Sequence, residues 1–347
     1  MNLSVKKIIV VFFAVVICIV GFAQSKPYFT QYVLNNYILN PAVTGIENYV
    51  DLKVSNRNQW SAIEGHPRTT YISIHGPIGK TDYRTSATSF AVPGENPRGK
   101  SYWEVYTAPS PHHGIGFIGM NDKTGYFNRW SAYATYAYHK PISVKTTLSL
   151  GFQAGVSSIQ LDQSKVVWAD PGVYDPAIGT TSGTIYKIKP ELGAGLWLYS
   201  AKYFAGLSVL NIIPGKVSFG EKNDRSTYFE PNYFFTAGYR LWLSDDVSLM
   251  PSAMIQYWKP QLFGVHVNAK VQYMDKFWVG GAYRYGDLVA GYSAMAGILV
   301  SNTFNISYAY ESATTNQMRA YTGQTHEIML GFLLNNKYGD SCPRNIW

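Results

Sequence analysis

The chain has 347 residues, of which 14% are charged, a formal net charge of +8 and a mean hydropathy near zero, with 28 Tyr, 17 Phe, 9 Trp and 31 Gly. Its basic residues stand singly rather than in blocks that would track phosphates, which argues against a nucleic-acid partner. Two cysteines, Cys18 in the leader and Cys342 near the end, leave no disulfide framework in the exported chain.

The first element is a secretory leader over 1–23. Lys6 and Lys7 form its positive region, Ile8 to Phe22 carry no charge, and Gly21 and Ala23 supply the small residues before a cleavage placed after Ala23. A membrane anchor is the rival reading, but it needs about 20 apolar residues. Ile17 stands before Cys18 where a lipobox has a small residue, which argues against lipidation. Residues 24–47 follow as a periplasmic lead-in, a helical turn or a plug at a barrel mouth, because Leu39-Asn40-Pro41-Ala42-Val43-Thr44-Gly45 ends in turn formers.

From there the chain alternates with period two, as a strand with lipid on one face and a lumen on the other must. Phe263, Val265, Val267, Ala269, Val271 and Tyr273 alternate with Gly264, His266, Asn268, Lys270 and Gln272. The runs starting at Tyr233 and Phe304 behave likewise, with aromatics at both ends as interfacial girdles require. Strands are expected near 48–60, 68–78, 113–122, 126–140, 145–160, 188–199, 202–212, 232–244, 247–259, 262–273, 276–286, 287–300, 303–312 and 323–334. The fold class is all-β: a transmembrane up-and-down antiparallel barrel of about fourteen strands over 48–334, in the outer membrane of a Gram-negative cell. A tail, 335–347, closes the chain.

Connection lengths orient the barrel. With a periplasmic N-terminus, the short links near 141–144, 200–201, 245–246, 274–275 and 301–302 are periplasmic, and the long ones near 161–187, 213–231 and 313–322 are extracellular. Residues 79–112 break this asymmetry with a long periplasmic segment that docks on a partner, enters the lumen, or marks a miscounted hairpin. A soluble sandwich is disfavoured by the length of the strands, and a propeller by the lack of a fixed repeat.

Groups with chemical potential are few, and no catalytic residue, metal or cofactor site emerges. His112 and His113 are expected as a loop pair whose side chains point apart, without a nearby carboxylate at ligand spacing. Asp162, Asp170 and Asp175 read as turn residues rather than a calcium loop. His326 and Glu327 adjoin on the last strand and so face opposite ways, which argues against a dyad. Glycines read as small lumen or crowding positions. The lumen charges, among them Asp51, Lys53, Arg57, Arg240, Lys270, Arg284 and Glu311, are sparse, as in a filled lumen, and form no opposed ladders of a diffusion porin.

Short motifs then appear in a recognisable order. Phe29-Thr30-Gln31-Tyr32, Leu39-Asn40-Pro41-Ala42 with Gly45, and Arg57-Asn58-Gln59-Trp60 are followed by Gly114-Ile115-Gly116 and Asn121-Asp122-Lys123-Thr124-Gly125. Leu241 to Asp246, Lys276-Phe277-Trp278-Val279-Gly280 with Tyr283-Arg284, His326-Glu327-Ile328-Met329-Leu330 and Cys342-Pro343-Arg344 complete the series. The chain thereby resembles the PorP/SprF family of type IX secretion system membrane proteins over 28–347. It departs at Asn345-Ile346-Trp347, where an aromatic is expected after Arg344, and in a longer Thr81–Ser110 segment.

The resemblance implies a non-enzymatic outer-membrane component of type IX secretion, paired in gliding bacteria with adhesins. Its implied partners are outer-membrane lipids, other secretion components, C-terminal domains of cargo, and periplasmic ring or peptidoglycan-linked lipoproteins. Motif residues Asn40, Pro41, Ala42, Gly45, Arg57, Asn58, Gln59, Trp60, Asn121, Asp122, Gly125, His326 and Glu327 are the candidate interaction residues. A barrel of this width passes a small solute but not a folded protein, so docking is the expected role and a diffusion or hydrophobic-solute channel the alternative.

Overall fold

The computed structural model describes residues 29–80, 106–162, 184–217, 227–258, 262–274, 276–286, 290–301, 303–314 and 316–335. The leader with Cys18, Asp170 and Asp175, most of 79–112, and the tail with Cys342 lie outside the described residues.

Runs of alternating residues form the strands β1 (Val50–Asn58), β2 (Arg68–Ile78), β3 (His112–Thr124), β4 (Phe127–Ser143), β5 (Thr146–Asp162), β6 (Thr184–Tyr199) and β7 (Tyr203–Leu210). A small hairpin, β8 (Gly215–Val217) with β9 (Thr227–Phe229), pairs only within itself. The barrel resumes with β10 (Asn232–Tyr239), β11 (Leu241–Trp242), β12 (Val247–Trp258), β13 (Leu262–Tyr273), β14 (Phe277–Gly286), β15 (Gly291–Ser301), β16 (Phe304–Ala313) and β17 (Gln324–Leu334). Neighbours in sequence pair antiparallel, and the ends meet where β1 pairs with β17. β10 and β11 share one register against β12, Gly238 facing Ser252 and Leu241 facing Leu249, so they are one stave interrupted at Arg240. The result is a closed 14-strand barrel.

Closure leaves no sheet edge inside lipid, which is why strands, not loops, can cross. No helix among the described residues is long and apolar enough to cross a membrane. A 12-residue strand such as β13 extends about 40 Å and, tilted by 35–45°, covers about 30 Å of bilayer. Its outward residues Phe263, Val267, Val271 and Tyr273 are exposed, while His266, Asn268 and Lys270 are buried inside. The alternation read from the sequence therefore points as expected. The tilted strands end in two rims. The near rim carries Val50, Leu334 and the turns after β4, β6, β11, β13 and β15, and the far rim carries the links after β1, β3, β5, β7 and β16.

Two expectations change: Asp162, expected in a turn, ends β5 opposite Thr184, and the two histidines leave their loop. His112 and His113 lie on β3 rather than in a loop, because β3 pairs with β4 as far as His112 opposite His139. Their side chains do point apart: His112 stacks on His139 inside, and His113 packs against Tyr136 and Tyr138 outside. The described ends of the 79–112 segment lie at the near rim, where Ala108 N–H donates to Val144 O at 2.8 Å and Tyr106 packs with Ala201 and Trp242. No hairpin was miscounted there, since β2 pairs directly with β3.

Candidate functional site: a plugged lumen

Residues 29–47 run through the lumen, and all but Leu34 are buried. Three short 3-10 turns, Tyr32–Leu34, Asn36–Ile38 and Pro41–Val43, carry the chain from the level of Arg57 down to the near rim, where it enters β1. Asn40 caps the last turn: its Oδ1 accepts from Ala42 N–H at 2.9 Å, and Pro41 at the first helical position has no N–H to lose.

The upper plug is held by charge. Thr30 N–H donates to Glu327 Oε2 and Thr30 Oγ1 donates to Glu311 Oε2, both at 2.8 Å, and Arg57 donates to Thr30 Oγ1 in turn. Arg57 lies 3.5 Å from each of those carboxylates, and Arg284 pairs with Glu311 at 2.5 Å. Two guanidinium groups and two carboxylates thus balance around one plug threonine, and burial without imbalance is what makes such a cluster tolerable. Gln31 adds two bonds, donating to Glu327 O at 2.9 Å and accepting from Ser307 Oγ at 2.5 Å.

The middle is held by neutral hydroxyls and amides. Asn268 donates to Tyr32 Oη at 2.5 Å, Tyr37 and Thr135 share a bond at 2.6 Å, and Asn35 donates to Ser73 Oγ at 3.1 Å.

Lower down, wall glycines create the space. Asn40 Nδ2 donates to Leu196 O at 3.0 Å and Leu207 O at 3.1 Å, reaching the backbone of β6 and β7 directly. It can do so because Gly195 and Gly206 lack side chains: a Cβ on Gly195 would stand 2.0 Å from Asn40 Oδ1. Gly151 leaves room in the same way for Pro41 and Ala42, whose carbonyl accepts from Ser149 Oγ at 2.7 Å. At the near rim Gly45 turns with φ +75, its N–H donates to His75 Nδ1 at 3.0 Å, and it lies against Gly114. His139 Nε2 meets Thr44 O at 2.8 Å. A small apolar cleft remains between plug residues such as Phe29 and Tyr32 and wall residues such as Met120 and Phe234.

The candidate interaction residues divide into two groups. Asn40, Pro41, Ala42 and Gly45 belong to the plug, and Arg57 and Glu327 to its charged seat. Asn58, Gln59, Trp60, Asn121, Asp122, Gly125 and His326 lie toward the far rim and do not join that cluster. Gln59 N–H donates to Pro67 O, Trp60 N–H to Thr325 Oγ1, and Gly125 N–H to Gly65 O, so these residues shape the rim links. Asn121 donates to Asn128 at 2.7 Å and Asp122 accepts from Thr69 at 2.6 Å. His326 faces outward and bonds Tyr308 at 2.7 Å, on the opposite side of β17 from Glu327.

Sequence reading missed Thr30, Gln31 and Tyr37 as seats of the plug and missed the wall pair Arg129–Glu191, 2.5 Å apart. Charged or amide residues at lumen phase beside glycines were the available signal. Among the described residues no group of three His, Cys, Asp or Glu could hold a metal ion.

A family model described as "Type IX secretion system membrane protein PorP/SprF" matches residues 21–332. The chain belongs to the PorP/SprF family. The motifs that gave the resemblance divide in this PorP/SprF barrel, a membrane component of type IX secretion, between the plug with its charged seat and the links of the far rim. No curated protein matches it. Among solved structures it is similar to a Pseudomonas aeruginosa FadL homologue (10% identity, TM-score 0.45, covering 91% of this chain and 96% of that one). It is also similar to the Acinetobacter baumannii outer membrane protein Omp33 (7% identity, TM-score 0.45, covering 84% and 100%). A third similar structure is the KdgM porin (6% identity, TM-score 0.36, covering 82% and 99%). These likenesses concern the barrel fold.

Proposed function

We propose that this PorP/SprF protein is a closed docking subunit of type IX secretion, which engages secreted surface proteins such as adhesins while another subunit supplies the pore. The observation that carries the reading is the plug: buried residues from Phe29 to Glu47 occupy the lumen and bond to the wall along its height. A cargo-conducting channel needs an open path, and a diffusion porin needs a wet one. In this reading the near rim, where β1 begins and β17 ends, faces the periplasm beside ring components and peptidoglycan-linked lipoproteins, and the far rim faces the cell surface. The far rim, with its longer links, is then the face for cargo C-terminal domains.

Deletion of the gene followed by surface proteomics tests this. Selective loss of one or a few surface proteins is expected. Unchanged surface protein content, or release of unfolded cargo by the purified barrel alone in liposomes, refutes the proposal.

A further inference from the structure

The wall of the barrel is uneven on one side. β5 and β6 pair along their full length, from Thr147 opposite Tyr199 to Asp162 opposite Thr184. β7 pairs with β6 only from Gly193 to Tyr199 and ends at Leu210, level with the start of β10 at Asn232. Residues 184–191 of β6 therefore stand above the β7–β10 part of the far rim, with no strand among the described residues on that side.

The direction of the backbone groups on this edge follows from one bond. Ile212 N–H donates to Leu192 O at 2.9 Å, so the backbone of Leu192 faces the β7 side. A strand residue points its N–H and C=O the same way, and successive residues alternate. Thr184, Tyr186, Ile188 and Pro190 therefore aim their backbone groups at the open side, and Ile185, Lys187, Lys189 and Glu191 bond β5. Pro190 fits this phase, because its missing N–H falls on the open edge and not in the β5 ladder. The flanking side chains are uncovered: Ile188 is 75% exposed and Tyr186 60%, and Lys187 is exposed on the other face with no ion pair among the described residues. The β8–β9 hairpin touches the Lys189 side chain at Gly215 and pairs only with itself.

We propose that this edge of β6, from Thr184 to Pro190, receives an extended segment of a secreted partner by strand addition. Only another extended backbone matches the spacing of these N–H and C=O groups, which pair with no strand among the described residues. Such a strand places apolar side chains beside Tyr186 and Ile188 on the outer face and an acidic side chain beside Lys187 on the inner one. A second copy of this chain is a poorer match, since edge-to-edge pairing sets Lys187 near its own copy and meets Pro190 on both sides. The inference rests on the docking reading above for the partner being a secreted chain, but its test does not depend on export.

The probe is a fluorescent peptide of alternating valine and glutamate, titrated by anisotropy against the full mature chain in detergent, with amide hydrogen exchange read by mass spectrometry. The peptide is expected to bind and to protect Tyr186 and Ile188. Ile188→Pro removes one edge N–H without touching the β5 ladder and is expected to weaken binding about tenfold. Ile188→Thr keeps the N–H and should retain most binding, and heat-modifiable gel mobility reports that each variant remains a folded barrel. Absence of binding at millimolar peptide, indifference to Ile188→Pro, or slow exchange of Tyr186 and Ile188 before peptide is added each overturns the proposal. Should the edge fail while gene deletion still strips a surface protein, docking stands through another surface.

Discussion

Replacing Arg57 with methionine removes the cation that faces both Glu311 and Glu327, leaving two buried carboxylates with Arg284 as the remaining guanidinium of the cluster. The cluster goes from neutral to one net negative charge at a position where Arg57 is 1% exposed. Breaking a buried pair from one side costs about 3–5 kcal/mol, most of it the desolvation of the orphaned charge. The plug bears this loss first, because Thr30 loses the bond from Arg57 and sits against the unbalanced carboxylates. A shift of about 3 kcal/mol multiplies the open fraction of the plug by over a hundred. Hydrogen exchange of the Tyr32 to Ile38 segment should accelerate accordingly, and planar-bilayer recordings should show intermittent conductance absent from the wild type. Restoring neutrality with Glu327→Gln in the same chain should recover most of the loss, since Arg284 and Glu311 still pair. Unchanged exchange in Arg57→Met, or a double variant no better than the single one, would refute the electrostatic account of the plug's seat.

Other perturbations separate the remaining contacts. Asn40→Ala removes three hydrogen bonds and should destabilise by about 2–4 kcal/mol, seen as a lower thermal midpoint in detergent. Gly195→Val, whose Cβ would stand 2.0 Å from Asn40 Oδ1, should free the plug as fully as losing Asn40, with conductance as readout; a silent valine there would contradict the packing. Gly45→Ala forces a side chain into φ +75 and to 2.4 Å from Gly114 Cα, so the folded yield should fall, and wild-type yield would show that the turn relaxes. On the lipid face, Val267→Arg should cost about 2–4 kcal/mol in bilayer folding equilibria, a penalty the lumen-facing Lys270, three residues on along the same strand, does not incur.

Much of the barrel was legible because its signal is local. Period two is visible in Phe263 to Tyr273 without knowing what β13 pairs with, and most of the long links fell at one end of the strands before any rim was seen. The long 79–112 segment left docking, lumen entry or a miscounted hairpin open, and the antiparallel pairing of β2 with β3 removes the miscount. His112 was misread for a related reason: two prolines before it suggested a loop, but β4 extends far enough to draw His112 into the ladder.

The candidate site was legible only in fragments. Asn40-Pro41-Ala42 announced a turn, and Arg57 and Glu327 could be set on lumen faces by parity. That they meet at Thr30 depends on β1 closing against β17, which brings together residues from opposite ends of the chain. Alternation, girdles and turn chemistry are properties of a few consecutive residues, so the sequence by itself determined the strands and their facing. The plug's course, the glycines that make room for it, the neutral charge cluster and the one-sided edge of β6 arise from register and closure. Those join residues far apart along the chain, and only the tertiary structure decided them.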